Sequence, residues 1–87
     1  MIFRLKENII VREVDDKIIF YDSEKMIFYG LKGALAIYIA QEKDLEISKM
    51  VSYLLKVYDV DDKTATEDVT YIINDLVKNE IIENVDI

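Results

Sequence analysis

The sequence predicts a small α+β domain, a three-stranded antiparallel β-meander followed by three α-helices. Two observations carry that prediction. Residues 9 to 29 hold three short runs of β-branched and aromatic residues separated by turn-forming residues, and residues 31 to 79 hold three runs with apolar side chains at helical spacing. With 87 residues, no proline, two glycines and no low-complexity stretch, nothing marks a linker. Residues 1 to 87 are therefore expected to form one domain.

The strands are IIVREV (9 to 14), IIFYD (18 to 22) and KMIFY (25 to 29), joined through Asp15-Asp16-Lys17 and Ser23-Glu24. Connections this short make neighbouring strands antiparallel, so strand order follows chain order and the third strand lies at an edge. Along it Lys25, Ile27 and Tyr29 point one way, and Met26, Phe28 and Gly30 the other. Both sets are largely apolar, so one can pack on the helices while the other needs different cover.

The first helix is LKGALAIYIAQE (31 to 42), with Leu31, Leu35, Tyr38 and Ile39 at helical spacing and Gly33 a weak point. In the second, Ile47, Met50, Val51, Leu54, Leu55 and Tyr58 form an unbroken apolar stripe. In the third, Thr64-Ala65-Thr66-Glu67 reads as a capping box, and Ala65, Val69, Ile72, Ile73 and Leu76 form the stripe. Asn79 is expected to close that helix in the left-handed conformation, with IIENVDI after it as a short strand or tail.

Composition limits function. Apolar residues make up 52% of the chain and charged residues 33%, too hydrophobic for intrinsic disorder, while no apolar run reaches the roughly 18 residues that span a bilayer. The N-terminus has no signal-peptide pattern and there is no cysteine, so a cytoplasmic location with no membrane partner is expected. Residues 1 to 58 balance nine acids against nine bases, whereas residues 59 to 87 set nine acids against Lys63 and Lys78, so the whole net charge of −7 lies in the last third. A field of that sign repels phosphate backbones and favours cationic partners.

The chemistry of catalytic sites is mostly missing. Without histidine or cysteine the chain lacks the usual metal ligands, nucleophile pairs and commonest general base, so no catalytic residue, metal or cofactor is expected. Asp59, Asp61 and Asp62 superficially resemble the start of a calcium loop, but the glycine at its sixth position and the glutamate at its twelfth are absent. Gly30 and Gly33 are isolated and make no phosphate loop. Three helices with a small sheet suggest a winged helix-turn-helix-like shape, which often binds DNA. The third helix argues against that: Glu67, Asp68 and Asp75 outweigh Lys78, and no arginine is present to read guanine.

The order of elements resembles the PqqD-like family of peptide chaperones and the wider group of precursor peptide recognition elements in the biosynthesis of ribosomally synthesised, post-translationally modified peptides (RiPPs). The resemblance covers residues 10 to 83. It rests on the three hairpin strands, on LEISKMVSYLLKVYDV with its Tyr58-Asp59 pair, and on EDVTYIINDLVKNEII with Asp68-Val69, Ile72, Ile73, Leu76 and a closing Ile81-Ile82. The chain departs from the family at Gly30-Leu31, where Leu-Asn is frequent, and at Glu42-Lys43, where an acid and glycine are frequent.

The resemblance implies a binding function without catalysis. Such domains bind the leader segment of a precursor peptide as an extra strand on the third strand, in a cleft against the third helix, and deliver it to a separate modifying enzyme or leader peptidase. On that basis the peptide-binding residues are expected to be Lys25, Met26, Ile27, Phe28 and Tyr29 on the strand and Asp68, Tyr71, Ile72 and Asp75 on the helix. Ile73 and Val77 lie along the other flank of the helix, and spacing does not decide which flank faces the strand; that of Asp68, Ile72 and Asp75 is preferred because an apolar floor bordered by acids suits a leader that mixes hydrophobic anchors with lysine or arginine. The alternatives are a winged-helix nucleic-acid-binding protein, and a docking or dimerisation module that uses the same strand edge for self-pairing. The expected state is a monomer or weak homodimer that binds no nucleic acid.

Overall fold

A computed structural model describes residues 1 to 85. The elements run β1 (Phe3–Leu5), β2 (Ile9–Val14), β3 (Lys17–Asp22), β4 (Ile27–Lys32), α1 (Ala34–Gln41), α2 (Ile47–Val57), α3 (Asp62–Lys78) and β5 (Ile82–Asn84). The meander forms an antiparallel sheet of order β2-β3-β4. The fold is therefore α+β, with the three-stranded sheet ahead of the three helices. Two further strands, β1 and β5, pair antiparallel in a separate small sheet that joins the two ends of the described chain. IIENVDI thus supplies a strand through Asn84, while Asp86 and Ile87 lie outside the described residues.

The third strand is shifted from the expected 25 to 29 to Ile27–Lys32, and Asp22 explains the shift. Its carboxylate, buried at 1% exposure, accepts from the side chain of Asn8 at 2.8 Å and from the backbone N–H groups of Glu24 and Lys25 at 3.0 Å each. Those bonds fold residues 23 to 26 into a turn, with Met26 in the left-handed region at φ 59°. Lys25 and Met26 are consequently turn residues. The Lys25 N–H bond contributes most to holding the Asp22 carboxyl below its usual range, opposed by burial and supported by Asn8 and Glu24. At its other end β4 runs through Gly30 and Leu31 until Gly33, whose φ of 93° suits glycine and stops the strand. The first helix therefore starts at Ala34, three residues later than its apolar spacing suggests.

Helix α3 also begins earlier than the capping box implies. Asp61 is its N-cap, accepting from the Thr64 N–H at 2.7 Å, so Thr64 and Glu67 lie inside the helix. The acidic cluster of residues 59 to 62 is thus in part a capping device, and among the described residues no group of three acidic, histidine or cysteine side chains is placed to hold a metal ion. At the far end Asn79 has φ −87°, and it is Glu80, at φ 59°, that turns left-handed. The Glu80 N–H donates to the Val77 carbonyl and the Ile81 N–H to the Leu76 carbonyl, which satisfies the last turn and sends Ile81 and Ile82 into the core.

The core lies between the sheet and the helices. Phe20, Ile39, Leu45, Met50, Ile73 and Leu76 are almost wholly buried, and Phe3 from β1 closes its edge against Leu45. Pairing sets the faces of the meander. Ile18 and Phe20 point inward opposite Leu31 and Tyr29, so Ile27, Tyr29 and Leu31 share the core face of β4. Phe28, Gly30 and Lys32 consequently lie on the outer face, in cross-strand rows with Tyr21, Ile19 and Lys17 of β3 and then Ile10, Arg12 and Val14 of β2.

Candidate functional site

The hydrogen-bond parity of the sheet shows which backbone groups of β4 are available. The Ser23 N–H donates to the Asn8 carbonyl on the β2 side at 3.0 Å, whereas the Asp22 carbonyl accepts from Met26 on the β4 side at 2.7 Å. Backbone groups alternate along an antiparallel strand, so Ile18, Phe20 and Asp22 turn theirs toward β4 and meet Leu31, Tyr29 and Ile27. The N–H and C=O groups of Phe28, Gly30 and Lys32 then point away from the sheet, along an edge that no described strand covers. The opposite edge, on β2, carries Arg12 and Glu13 mid-strand, charged side chains of the kind that discourage pairing.

Beside the free edge lies α3. The Tyr29 hydroxyl donates to the Asp75 carboxylate, the contact that fixes which flank of α3 faces the strand. Asp75 is further tied to the end of its own helix, since the Asn79 amide donates to its backbone carbonyl at 2.8 Å. One step outward, the Lys25 ammonium pairs with the Glu80 carboxylate, joining the hairpin turn to the residue after α3. Strand and helix are thus cross-linked at the hairpin end of the cleft and diverge toward its other end. There a cavity of about 280 Å³ opens between the β4–α1 junction and the first half of α3. Lys32 and Gly33 form one wall, Asp68, Tyr71 and Ile72 the other, with Leu35 and Leu54 beneath.

Burial first, and then the bond to Asp75, push the Tyr29 phenol up to about 12. A folded-state value above the ordinary 10.0 means that the contribution of this group to stability is complete below pH 10 and is lost as pH rises through about 12. Replacing Tyr29 with Phe removes the titrating group. Alkaline unfolding between pH 10 and 12, followed by circular dichroism, is expected to become flatter in Tyr29→Phe than in the wild type.

The residues expected from the sequence separate into three groups. Asp68, Tyr71 and Ile72 come together at the cavity, and Asp75 with Tyr29 bridges its closed end. Ile27 and Phe28 lie on the strand but on opposite faces, 47% and 72% exposed. Lys25 and Met26 are in the turn beyond the strand, Lys25 engaged with Glu80 and Met26 72% exposed. Sequence reading missed Lys32 and Gly33, because it ended the strand at Tyr29, and it missed Tyr58, which closes the cavity from the end of α2.

Two solved structures have this architecture. One is TbiB1 in complex with the TbiA(beta) leader peptide, with a TM-score of 0.82 and 16% identity over 97% of this chain and 99% of that chain. The other is a lasso peptide synthetase B1 complexed with the leader peptide, with a TM-score of 0.80 and 19% identity over 94% of this chain and 98% of that chain. This chain shares their fold. No protein-family model matches it, and no curated protein does. At such identities the likeness extends to the course of the backbone nearly end to end, and the side chains of the cleft are this chain's own.

Proposed function

We propose that this chain is a leader-peptide recognition domain of RiPP biosynthesis, acting as a single unit over residues 1 to 87 in the cytoplasm. An extended segment of a ribosomally made precursor adds to β4 as a fourth strand, and the domain presents it to a separate modifying enzyme or leader peptidase that performs the chemistry. The observation that carries this reading is the open edge of β4 beside a helix-walled cleft, in a fold shared with two solved leader-peptide complexes.

The physical basis is backbone recognition supplemented by pockets. Phe28, Gly30 and Lys32 offer three N–H donors and three C=O acceptors to a guest strand, while alternate guest side chains turn inward over the cavity floor of Leu35 and Leu54. Lys25, Met26 and Ile27 lie where the guest strand leaves the edge, and Asp68, Tyr71, Ile72 and Asp75 form the facing wall. Because Asp68 is exposed at the cavity mouth, its carboxylate favours a basic side chain of the guest.

The test is titration of the labelled domain with synthetic leader peptides of candidate precursors, read by fluorescence anisotropy and by amide shifts. Saturable binding with shifts at Phe28, Gly30, Asp68 and Ile72 is expected. Shifts that avoid β4 altogether would overturn the proposal. A lysine at position 68 sharpens the electrostatic part: Asp68→Lys is expected to weaken a basic leader about tenfold in low salt and by less than half of that in free energy at 1 M, where screening cuts the range of charge to about 3 Å. Equal losses at both salt levels would assign Asp68 to packing instead.

A further inference from the structure

We propose that the outer face of the three-stranded sheet is a second docking surface, separate from the peptide cleft, for a protein partner that presents acidic side chains around an apolar contact. The charge of the protein is segregated, and of the cations on this face only Lys32 also borders the cleft. Every charged side chain pointing outward from the sheet is a cation, Arg12, Lys17 and Lys32, although the chain as a whole carries −7. None of the three is in an ion pair with a described residue. Acids reach only the rim, at Asp15 and Asp16 in the β2–β3 turn.

Between and beside these cations the face is apolar. Phe28 is 72% and Ile10 44% exposed, and Tyr21 between them packs its ring against that of Phe28, tilted by 39° with 4.7 Å between centroids. Gly30 leaves the centre of the face bare. A Cβ placed there would meet Ile19 and Lys17 at 3.5 and 3.6 Å, ordinary contact distances, and its backbone is not in the left-handed region. The fold therefore has no need of a glycine at this position. A strand glycine without a conformational reason fits a site that another molecule approaches closely, and here it opens a shallow notch over Ile19 between Phe28 and the cations.

Charge identifies the occupant. Removing the three sheet cations from the total leaves −10 on the remainder. An extended polyanion, nucleic acid or an anionic bilayer, reaches past the three short strands and meets the rim acids Asp15 and Asp16 as well as the cations. A compact acidic protein surface meets the cations alone. Three strands about 4.8 Å apart and six residues long give a contact far below the roughly 800 Å² per partner of a stable interface, which suits a transient partner.

The probes are a synthetic amphipathic helix carrying glutamates around a leucine stripe, the same helix with lysines for glutamates, and a twelve-nucleotide oligothymidine. Each is titrated into the ¹⁵N-labelled full chain. The acidic helix is expected to shift Arg12, Ile19 and Gly30 amides saturably while leaving Asp68 and Tyr71 unmoved, and to bind about tenfold more tightly than its lysine counterpart. The variant Arg12→Glu/Lys17→Glu is expected to lose about tenfold of that affinity and to retain wild-type binding of leader peptide, since both side chains lie away from β4 and the cleft. Equal binding of the two helices, no saturable shift on this face, stronger binding of oligothymidine, or a dimer by light scattering that buries the face would each overturn the proposal.

Discussion

Proline at Phe28 or Gly30 is expected to leave the domain folded and to weaken leader binding about a hundredfold, whereas proline at Ile27 or Tyr29 is expected to unfold it. The asymmetry follows from the parity of β4. The N–H groups of Phe28 and Gly30 point to the free edge, so removing either subtracts nothing from the β3–β4 ladder. In the complex the same change removes a donor and leaves a guest carbonyl buried without a partner, together about 2 to 3 kcal/mol, or a hundredfold at the upper end. Ile27 and Tyr29 direct their N–H groups at Asp22 and Phe20, so proline there breaks the ladder next to two almost fully buried residues. Circular dichroism sorts the four variants into folded and unfolded, and titration with leader peptide ranks the folded pair. Phe28→Ala and Gly30→Ala keep the donor and control for the side chain. Wild-type affinity in folded Phe28→Pro and Gly30→Pro would remove strand addition as the binding mode.

The meander and three helices were legible because each is written locally, in β-branched runs and in apolar spacing. What the sequence did not disclose was decided by contacts distant along the chain. The strand frame at residues 25 to 32 depends on Asp22 being buried, and its partner Asn8 lies 14 residues earlier. Nothing local distinguishes a buried turn-forming aspartate from an exposed one, so KMIFY looked like the strand when IFYGLK is. The same error hid Lys32 and Gly33 from the site. The small β1–β5 sheet pairs residues some 80 positions apart through three-residue strands, too short for any periodic signal. Charge alone favours the flank of α3 that carries Asp68, Ile72 and Asp75, and the Tyr29–Asp75 bond, 46 residues apart in sequence, puts that flank on the side toward the strand. Gly30 stood out as a departure from the PqqD-like pattern that the sequence resembles. The reason does not lie in the turn into the first helix, because Gly30 sits mid-strand in an unstrained conformation.

Phe20→Ala is expected to cost about 3 to 5 kcal/mol, enough to leave the isolated domain largely unfolded at 37 °C. Phe20 is fully buried in β3, with its ring 6.5 Å from that of Tyr29, and lies directly across the sheet from it. A domain of this length has about 4 to 13 kcal/mol of stability in total, so one such cavity removes a large fraction of it. The choice of substitution separates packing from recognition. Phe20→Leu shrinks the side chain without emptying the site and should cost about 1 to 2 kcal/mol, leaving a folded protein with a loosened floor beneath Tyr29. If β4 and α3 are the two walls of a peptide site, a leader present at a hundred times its dissociation constant returns about 2.7 kcal/mol, more than the Leu variant has lost. Thermal unfolding of Phe20→Leu should therefore recover at least the wild-type midpoint on addition of leader peptide. A non-binding control peptide should leave the midpoint where it was. Loss of stability with no recovery at the leader concentration that saturates the wild type would mean that the variant binds far more weakly, so that Phe20 positions Tyr29 for binding as well as filling the core.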